Sequence, residues 1–195
     1  MINFVVPSLG RKTLKNTLQS LIDQTNPNWK CWVGFDGLSI KEIESDILID
    51  DERINYIEIK PKLGIAGHHG NAGKVRNYII DQIDNDYEWI GFVDDDDSIR
   101  PYYIDSLIKE IEENTFDCCV FRMKLNENII PPMHFKNQII QNFVGISFCV
   151  KKEFIDKNNI KFINYNAEDF NYLEQINNSS GEIIISDSIT YDVNI

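Results

Sequence analysis

The chain has 195 residues, 43% hydrophobic and 26% charged, a globular profile with apolar side chains enough for one packed domain and length too short for two. Its 31 acidic against 19 basic residues leave a net charge of −12, which repels nucleic-acid backbones and anionic membrane surfaces, so a phosphate ligand would need added positive charge. No run approaches the roughly 20 apolar residues of a membrane-spanning helix, and Met1 to Pro7 lack the basic and long apolar regions of a secretory signal, which implies a cytoplasmic protein.

Residues 2 to 7 are an apolar run ended by Pro7 and Ser8-Leu9-Gly10, predicting a buried strand that opens into a loop. A helix begins near Thr13, a good N-cap residue, with Leu14, Leu18, Leu21 and Ile22 on one face, and Asn26-Pro27-Asn28 stops it. Trp29 to Phe35 predicts a second strand that delivers Asp36-Gly37 at its C-terminal end. A short polar helix around residues 40 to 45 and a strand over Ile54 to Ile59 follow, an alternation that predicts a parallel sheet. Residues 60 to 74 form a loop carrying Gly64, Gly67, Gly70 and Gly73, and the next helix places Val75, Tyr78, Ile79 and Ile83 on one face. Tyr87 to Val93 is a short strand running into Asp94-Asp95-Asp96-Asp97, and Pro101 opens a helix with Ile104, Leu107, Ile108 and Ile111 facing the core. Strands over Asp117 to Leu125 and Phe143 to Val150 flank a Pro131-Pro132 turn. A helix near Glu168 to Ile176 and a strand near Glu182 to Tyr191 close the chain. The sum is an α/β fold with a mostly parallel central sheet flanked by helices. Cys31, Cys118, Cys119 and Cys149 fall in predicted strands without C-x-x-C spacing, which makes them reduced core residues.

In such sheets ligands bind at the carboxyl ends of the strands, where Pro7-Ser8, Asp36 and Asp94 to Asp97 all fall. Four consecutive carboxylates repel one another and point to a hard divalent cation, Mn2+ or Mg2+, bridging protein carboxylates to substrate phosphate oxygens. The competing reading is a solvated acidic turn that caps the following helix. An EF-hand is excluded, because Ile99 stands where that loop needs glycine and Asp105 where it needs glutamate. The stretch Gly64 to Asn77 is neither a Walker loop, since Val75 follows Lys74, nor a G-x-G-x-x-G turn, yet its glycines allow close backbone approach and Lys74 and Arg76 add cations. His68, His69 and His134 lack metal-binding spacing. Glu168-Asp169 either caps a helix or, facing the cleft, supplies a general base.

Taken in order, these segments resemble the family 2 glycosyltransferases with the GT-A fold. Pro7-Ser8-Leu9-Gly10-Arg11 is similar to the family's P-[ST]-x-x-R start, and Ser20-Leu21-Ile22-Asp23-Gln24-Thr25 to its S-L-x-x-Q-[ST] helix. Asp36-Gly37-Leu38-Ser39 resembles D-D-G-S, whose acid contacts uracil, with Phe35 in place of the first acid and Leu38 inserted. Gly70-Asn71-Ala72-Gly73-Lys74-Val75-Arg76-Asn77 is similar to the N-x-G-x-x-x-A-R-N region, which makes Gly70, Asn71 and Arg76 nucleotide-side residues. Val93 to Asp97 resembles L-D-x-D-D, the D-x-D signature. That resemblance gives Asp94 and Asp95 to the nucleotide sugar and Asp96 with Asp94 to the metal, in a register open by one. Glu168-Asp169 resembles the family's catalytic E-D pair, with Asp169 favoured as base. The resemblance implies an inverting transfer of sugar from a nucleotide-diphosphate donor, UDP-linked by preference, to a hydroxyl of a glycan or other acceptor. It divides the domain into a nucleotide-binding part about 1–100 and an acceptor-side part about 101–195. The chain is short for the family, which implies a domain of a longer polypeptide. The alternatives are a nucleotidyltransferase, for which Pro7 to Lys12 is a poor signature, and a non-catalytic nucleotide- or sugar-binding module.

Overall fold

The computed structural model describes residues 2–64, 72–83, 88–136, 138–163 and 167–194. Its strands are β1 (Ile2–Ser8), β2 (Trp29–Asp36), β3 (Ile54–Ile59), β4 (Trp89–Phe92), β5 (Ser98–Ile99), β6 (Cys118–Leu125), β7 (Asn128–Ile130), β8 (Phe148–Lys151) and β9 (Ile183–Val193). The helices are α1 (Leu14–Ile22), α2 (Ala72–Ile80), α3 (Tyr103–Glu113), α4 (Lys152–Asn158) and α5 (Glu168–Asn178). Every residue of β1 is buried, as expected for a strand covered on both faces in the middle of a parallel sheet. The sheet runs β3-β2-β1-β4-β8-β6-β9-β5, with β7 hairpinned onto β6.

The alternation read from the sequence holds through β4: β1 pairs in parallel with β2 and β4, and β2 with β3. Beyond β4 the sheet is mixed. There β8 is antiparallel to both β4 and β6, β5 is antiparallel to β9, and β6 and β9 run parallel. Side chains at the shared end of β1, β2 and β4 therefore belong to one edge of the sheet, and Asp36 and the acidic run lie on it.

Several local expectations shift. Thr13 sits at the N-cap of α1 in helical geometry and makes no capping bond. The helix α2 begins at Ala72, inside the predicted loop, and buries Val75, Arg76, Ile79 and Ile80 while Tyr78 is exposed. Ile111 of α3 also turns outward. The strand expected from Phe143 starts only at Phe148, and Phe143 lies on the surface. The four cysteines are free and buried.

An aromatic cluster fixes α5 to the sheet. Tyr172 of α5 stacks on Phe162 with centroids 4.2 Å apart and on Phe148 at 5.6 Å, and Phe92 packs edge-on against Phe162 at 5.4 Å. Such pairs add about 0.5 to 1.5 kcal/mol each beyond the area they bury. The segment before α5 is held separately, because Asn77 of α2 bonds the Phe162 backbone in both directions, at 2.9 and 3.1 Å.

Candidate active site

Residues 94–97 leave β4 as a turn closed by a bond from Asp97 N–H to the Asp94 carbonyl, 3.1 Å. The turn sends its four carboxylates to different parts of the fold, with Arg11 shared between Asp95 and Asp96. Asp95 faces β1: its Oδ2 accepts from the Ser8 hydroxyl at 2.7 Å and the Leu9 amide at 3.1 Å, and its Oδ1 lies 3.3 Å from Arg11. Asp97 faces β9, where Oδ2 accepts from the Tyr191 hydroxyl at 2.9 Å and Oδ1 from the Asn194 amide at 3.0 Å. Asp94 pairs with Arg76 of α2, and Asp96 with Arg11. Burial pushes Asp95 up despite its bonds to Ser8 and Arg11, and pushes Asp97 up to about 7.

The four carboxylates are therefore not equivalent. Asp95 and Asp97 are buried and spend their oxygens holding the turn in place. The side chains of Asp94 and Asp96 are 34% and 42% exposed, so the two accessible acids of the run stand two residues apart. Asp95, expected on the nucleotide, lies beneath the turn instead. Ser8 is likewise committed, donating to Asp95 and accepting from Gly10 N–H at 3.0 Å, while Pro7 is buried inside β1. Arg11 remains half exposed.

Beside the turn, Arg76 is 2% exposed and its guanidinium joins Asp94 to Glu168, with Asp169 Oδ1 4.0 Å away. The ring of Phe162 lies 5.2 Å from its Cζ. Burial alone would lower the Arg76 pKa, but Asp94, Asp169 and Glu168 together raise it. Glu168 also accepts the Gly73 amide at 3.1 Å, and burial raises its pKa against the pull of Arg76. Asp169 differs: its Oδ1 is buried with no hydrogen-bond partner among the described residues, and its side chain is 28% exposed. Burial pushes its carboxyl up to about 7, Arg76 opposes that, and Asp94 and Glu168 add to it. Ala167, just before the pair, takes a left-handed φ of 52°, a geometry that costs a non-glycine residue about 1 kcal/mol or more.

Asp36 ends β2 with its carboxylate accepting the Leu63 and Gly64 amides at 2.6 and 2.9 Å, so it shapes the loop after β3. Gly70 and Asn71 lie outside the described residues. The sequence reading missed four residues that build the site: Gly73 and Asn77, which seat α5, and Tyr191 and Asn194, which brace the turn. The first two stand in the glycine-rich motif and could have been weighed. The last two have no local signal, because only the pairing of β9 brings them there.

A model described as glycosyl transferase family 2 matches residues 4–169. The chain belongs to that family. Among solved structures, S. aureus TarS residues 1–349 superposes with a TM-score of 0.75 at 18% identity, over 99% of this chain and 60% of that one. The same TarS segment in complex with UDP gives 0.76 at 19% identity, over 100% and 60%, and in complex with UDP-GlcNAc 0.74 at 19%, over 98% and 57%. These likenesses establish a GT-A fold, and the chain spans less than two thirds of each of those neighbours. No curated protein matches it in sequence. As a family 2 domain it carries Ser8, Asp36, Asp94 to Asp97 and Glu168-Asp169 inside the matched segment. Among the described residues no helix is long and apolar enough to cross a membrane, and no three His, Cys, Asp or Glu side chains gather as a ready-made metal cage.

Proposed function

We propose that this chain transfers a sugar from a UDP-linked donor to an acceptor hydroxyl, with inversion at the anomeric carbon and with help from a divalent cation. The observation that carries the reading is the accessible pair Asp94 and Asp96 at the strand ends, facing an Asp169 that shares Arg76 with Asp94. UDP is preferred because the TarS neighbours are described with UDP and UDP-GlcNAc. The donor set suits Mn2+ or Mg2+: both groups offer hard oxygens, and such ions use one or two carboxylates together with phosphate oxygens and water rather than an all-protein cage. Asp94 and Asp96 would hold the ion, whose charge would offset that of the departing diphosphate. Arg11, half exposed beside Asp96, supplies a second positive charge at the same mouth.

Asp169 acts as general base, taking the proton of the acceptor hydroxyl. A carboxyl pushed up to about 7 by burial is a far stronger base than an ordinary aspartate and is still ionised enough to work near neutrality. Glu168 is committed to Arg76 and the Gly73 amide, so its part is to hold Asp169 in place. Residues 1–100 then form the donor side and residues 101–195 the acceptor side.

Thermal shifts test the donor half. UDP and Mn2+ together should raise the melting temperature, by the linkage expected of a ligand that binds only the folded state, while either alone does little; Asp96→Asn should abolish the joint effect. Asp169→Asn should keep that shift and lose about 10² to 10⁴ in turnover of a UDP-sugar, the usual contribution of general-base catalysis. Full stabilisation with no product from any donor would favour a non-catalytic binding module.

A further inference from the structure

We infer that the loop joining β7 to β8, residues 131–147, holds the acceptor, and that its exposed side chains Met133, Ile140 and Phe143 receive the apolar face of an uncharged sugar ring. The inference rests on the proposed transferase reading. Strand register brings the loop to the edge of the sheet that carries the acidic turn: Gly91 of β4 pairs with Cys149 of β8, which runs the opposite way, so the chain enters β8 where β4 releases residues 94–97. Packing assigns it a face. Phe121 of β6 lies against Tyr103 of α3 at 4.5 Å, and Arg122 beside it takes the other face of the strand, the one covered by α5, which carries Asp169. Arg122 is fully buried and donates to the Pro131, Pro132 and Phe135 carbonyls at 2.8, 2.7 and 3.0 Å and to Asp187 at 2.9 Å. A guanidinium taken wholly out of water to hold three loop carbonyls makes this a fixed surface. Met133, Ile140 and Phe143 nonetheless stay 48%, 38% and 42% exposed, with Phe143 backed by Phe135 at 5.4 Å. Apolar groups held rigidly in water bind at little ordering cost. Charge selects the occupant. In a chain of net charge −12, residues 128 to 152 include no Asp or Glu, and the loop's lysine, Lys136, is tied to Asp187. What remains is apolar and aromatic surface beside the amides of Gln141 and Asn142, which suits a ring with C–H faces and uncharged hydroxyls. A lipid surface would call for free basic residues around the apolar ones.

Saturation-transfer NMR tests this with the methyl β-glycosides of glucose, galactose and N-acetylglucosamine as probes. Saturation of the protein's aromatic and methyl resonances should pass to the ring protons of at least one of the three. Phe143→Ser and Met133→Ser, both at exposed positions, should lose that signal and keep the melting shift produced by UDP with Mn2+. Phe143→Tyr, which retains the ring, should keep both. Transfer that survives in both serine variants would overturn the inference, as would its absence for all three glycosides in the wild type. Vesicles of neutral and of anionic phospholipid are the second probe: co-sedimentation of the wild type that Phe143→Ser abolishes would give the patch to a membrane and overturn the sugar reading. Glycoside binding that depends on Phe143, in a protein on which UDP and Mn2+ have no effect, would support the sugar surface and overturn the transferase reading alone.

Discussion

Asp169 pays for its basicity in stability. Its Oδ1 is buried without a hydrogen-bond partner among the described residues, and its carboxyl is pushed up to about 7, first by burial and then by Asp94 and Glu168, with Arg76 opposing. Because the folded pKa lies above the ordinary value, the folded chain holds this proton more tightly than the unfolded one. The stability this contributes is complete below the unfolded pKa and is lost as pH rises through about 7. Asp169→Asn removes the charging cost at high pH and gains nothing at low pH. The variant should match the wild type only below the unfolded pKa of about 3.9 and melt increasingly higher than it from there up to pH 8, where about 1 kcal/mol corresponds to roughly 2 to 4 °C for a chain of this size. Melting scans across pH check this. A variant equally destabilised at both ends of that range would mean that the carboxylate is well satisfied in the fold. The same substitution is expected to cut turnover, so one side chain would trade stability for chemistry.

At the scale of elements, the position of α5 is set by how closely α2 approaches it. A methyl group on Gly73 would meet Phe162 Cβ at 2.6 Å and Glu168 Oε2 at 2.8 Å. Alanine gains about 1 kcal/mol of helix propensity over glycine, while overpacking costs typically about 1 to 3 kcal/mol. The clash wins here because Phe162 cannot yield: its backbone is tied to Asn77 and its ring to Tyr172. Gly73→Ala should therefore lower the urea midpoint and also reduce turnover by shifting Glu168-Asp169. A midpoint at or above that of the wild type would show that the two helices have room to part. Elements of this kind differ in how far the sequence reveals them. The strands β1 to β4 and the helices α1, α3 and α5 carry apolar runs or periodic faces and were legible, as was the strand edge on which the acidic run lies. The strands β5 and β7 and the helix α4 were not, because elements of two, three and seven residues depend on the neighbour they pair or pack with. The site was legible as a set of residues and illegible as a division of labour. Nothing in Asp94-Asp95-Asp96-Asp97 says that the second and fourth acids turn inward, since their partners Ser8 and Tyr191 come from distant strands.

Across the whole molecule, β1 and β9, far apart in sequence, meet at the acidic turn. Ser8 and Arg11 hold it from the N-terminal side, and β9 closes over it from the other. The Tyr191 hydroxyl donates to Asp97 and accepts the Asp94 amide at 3.1 Å, the Asn194 side chain donates to the Asp96 carbonyl at 3.1 Å, and Asp192 grips Arg100 through two bonds of 2.9 Å. In a chain of net charge −12, four acids in a row would spread apart without such ties. Tyr191 is fully buried, so Tyr191→Phe keeps the ring packing and leaves a carboxylate oxygen and an amide short of a partner. Stranding buried polar groups costs about 1 to 3 kcal/mol, so the melting temperature should fall by several degrees at the roughly 2 to 4 °C per kcal/mol expected for this length. Because Asp94 and Asp96 belong to the same turn, the Mn2+ concentration needed for half-maximal stabilisation by UDP should rise as well. A lower melting temperature with an unchanged Mn2+ requirement would assign β9 to closing the sheet alone. A rise in both would tie the last strand of the chain to the geometry of the donor site.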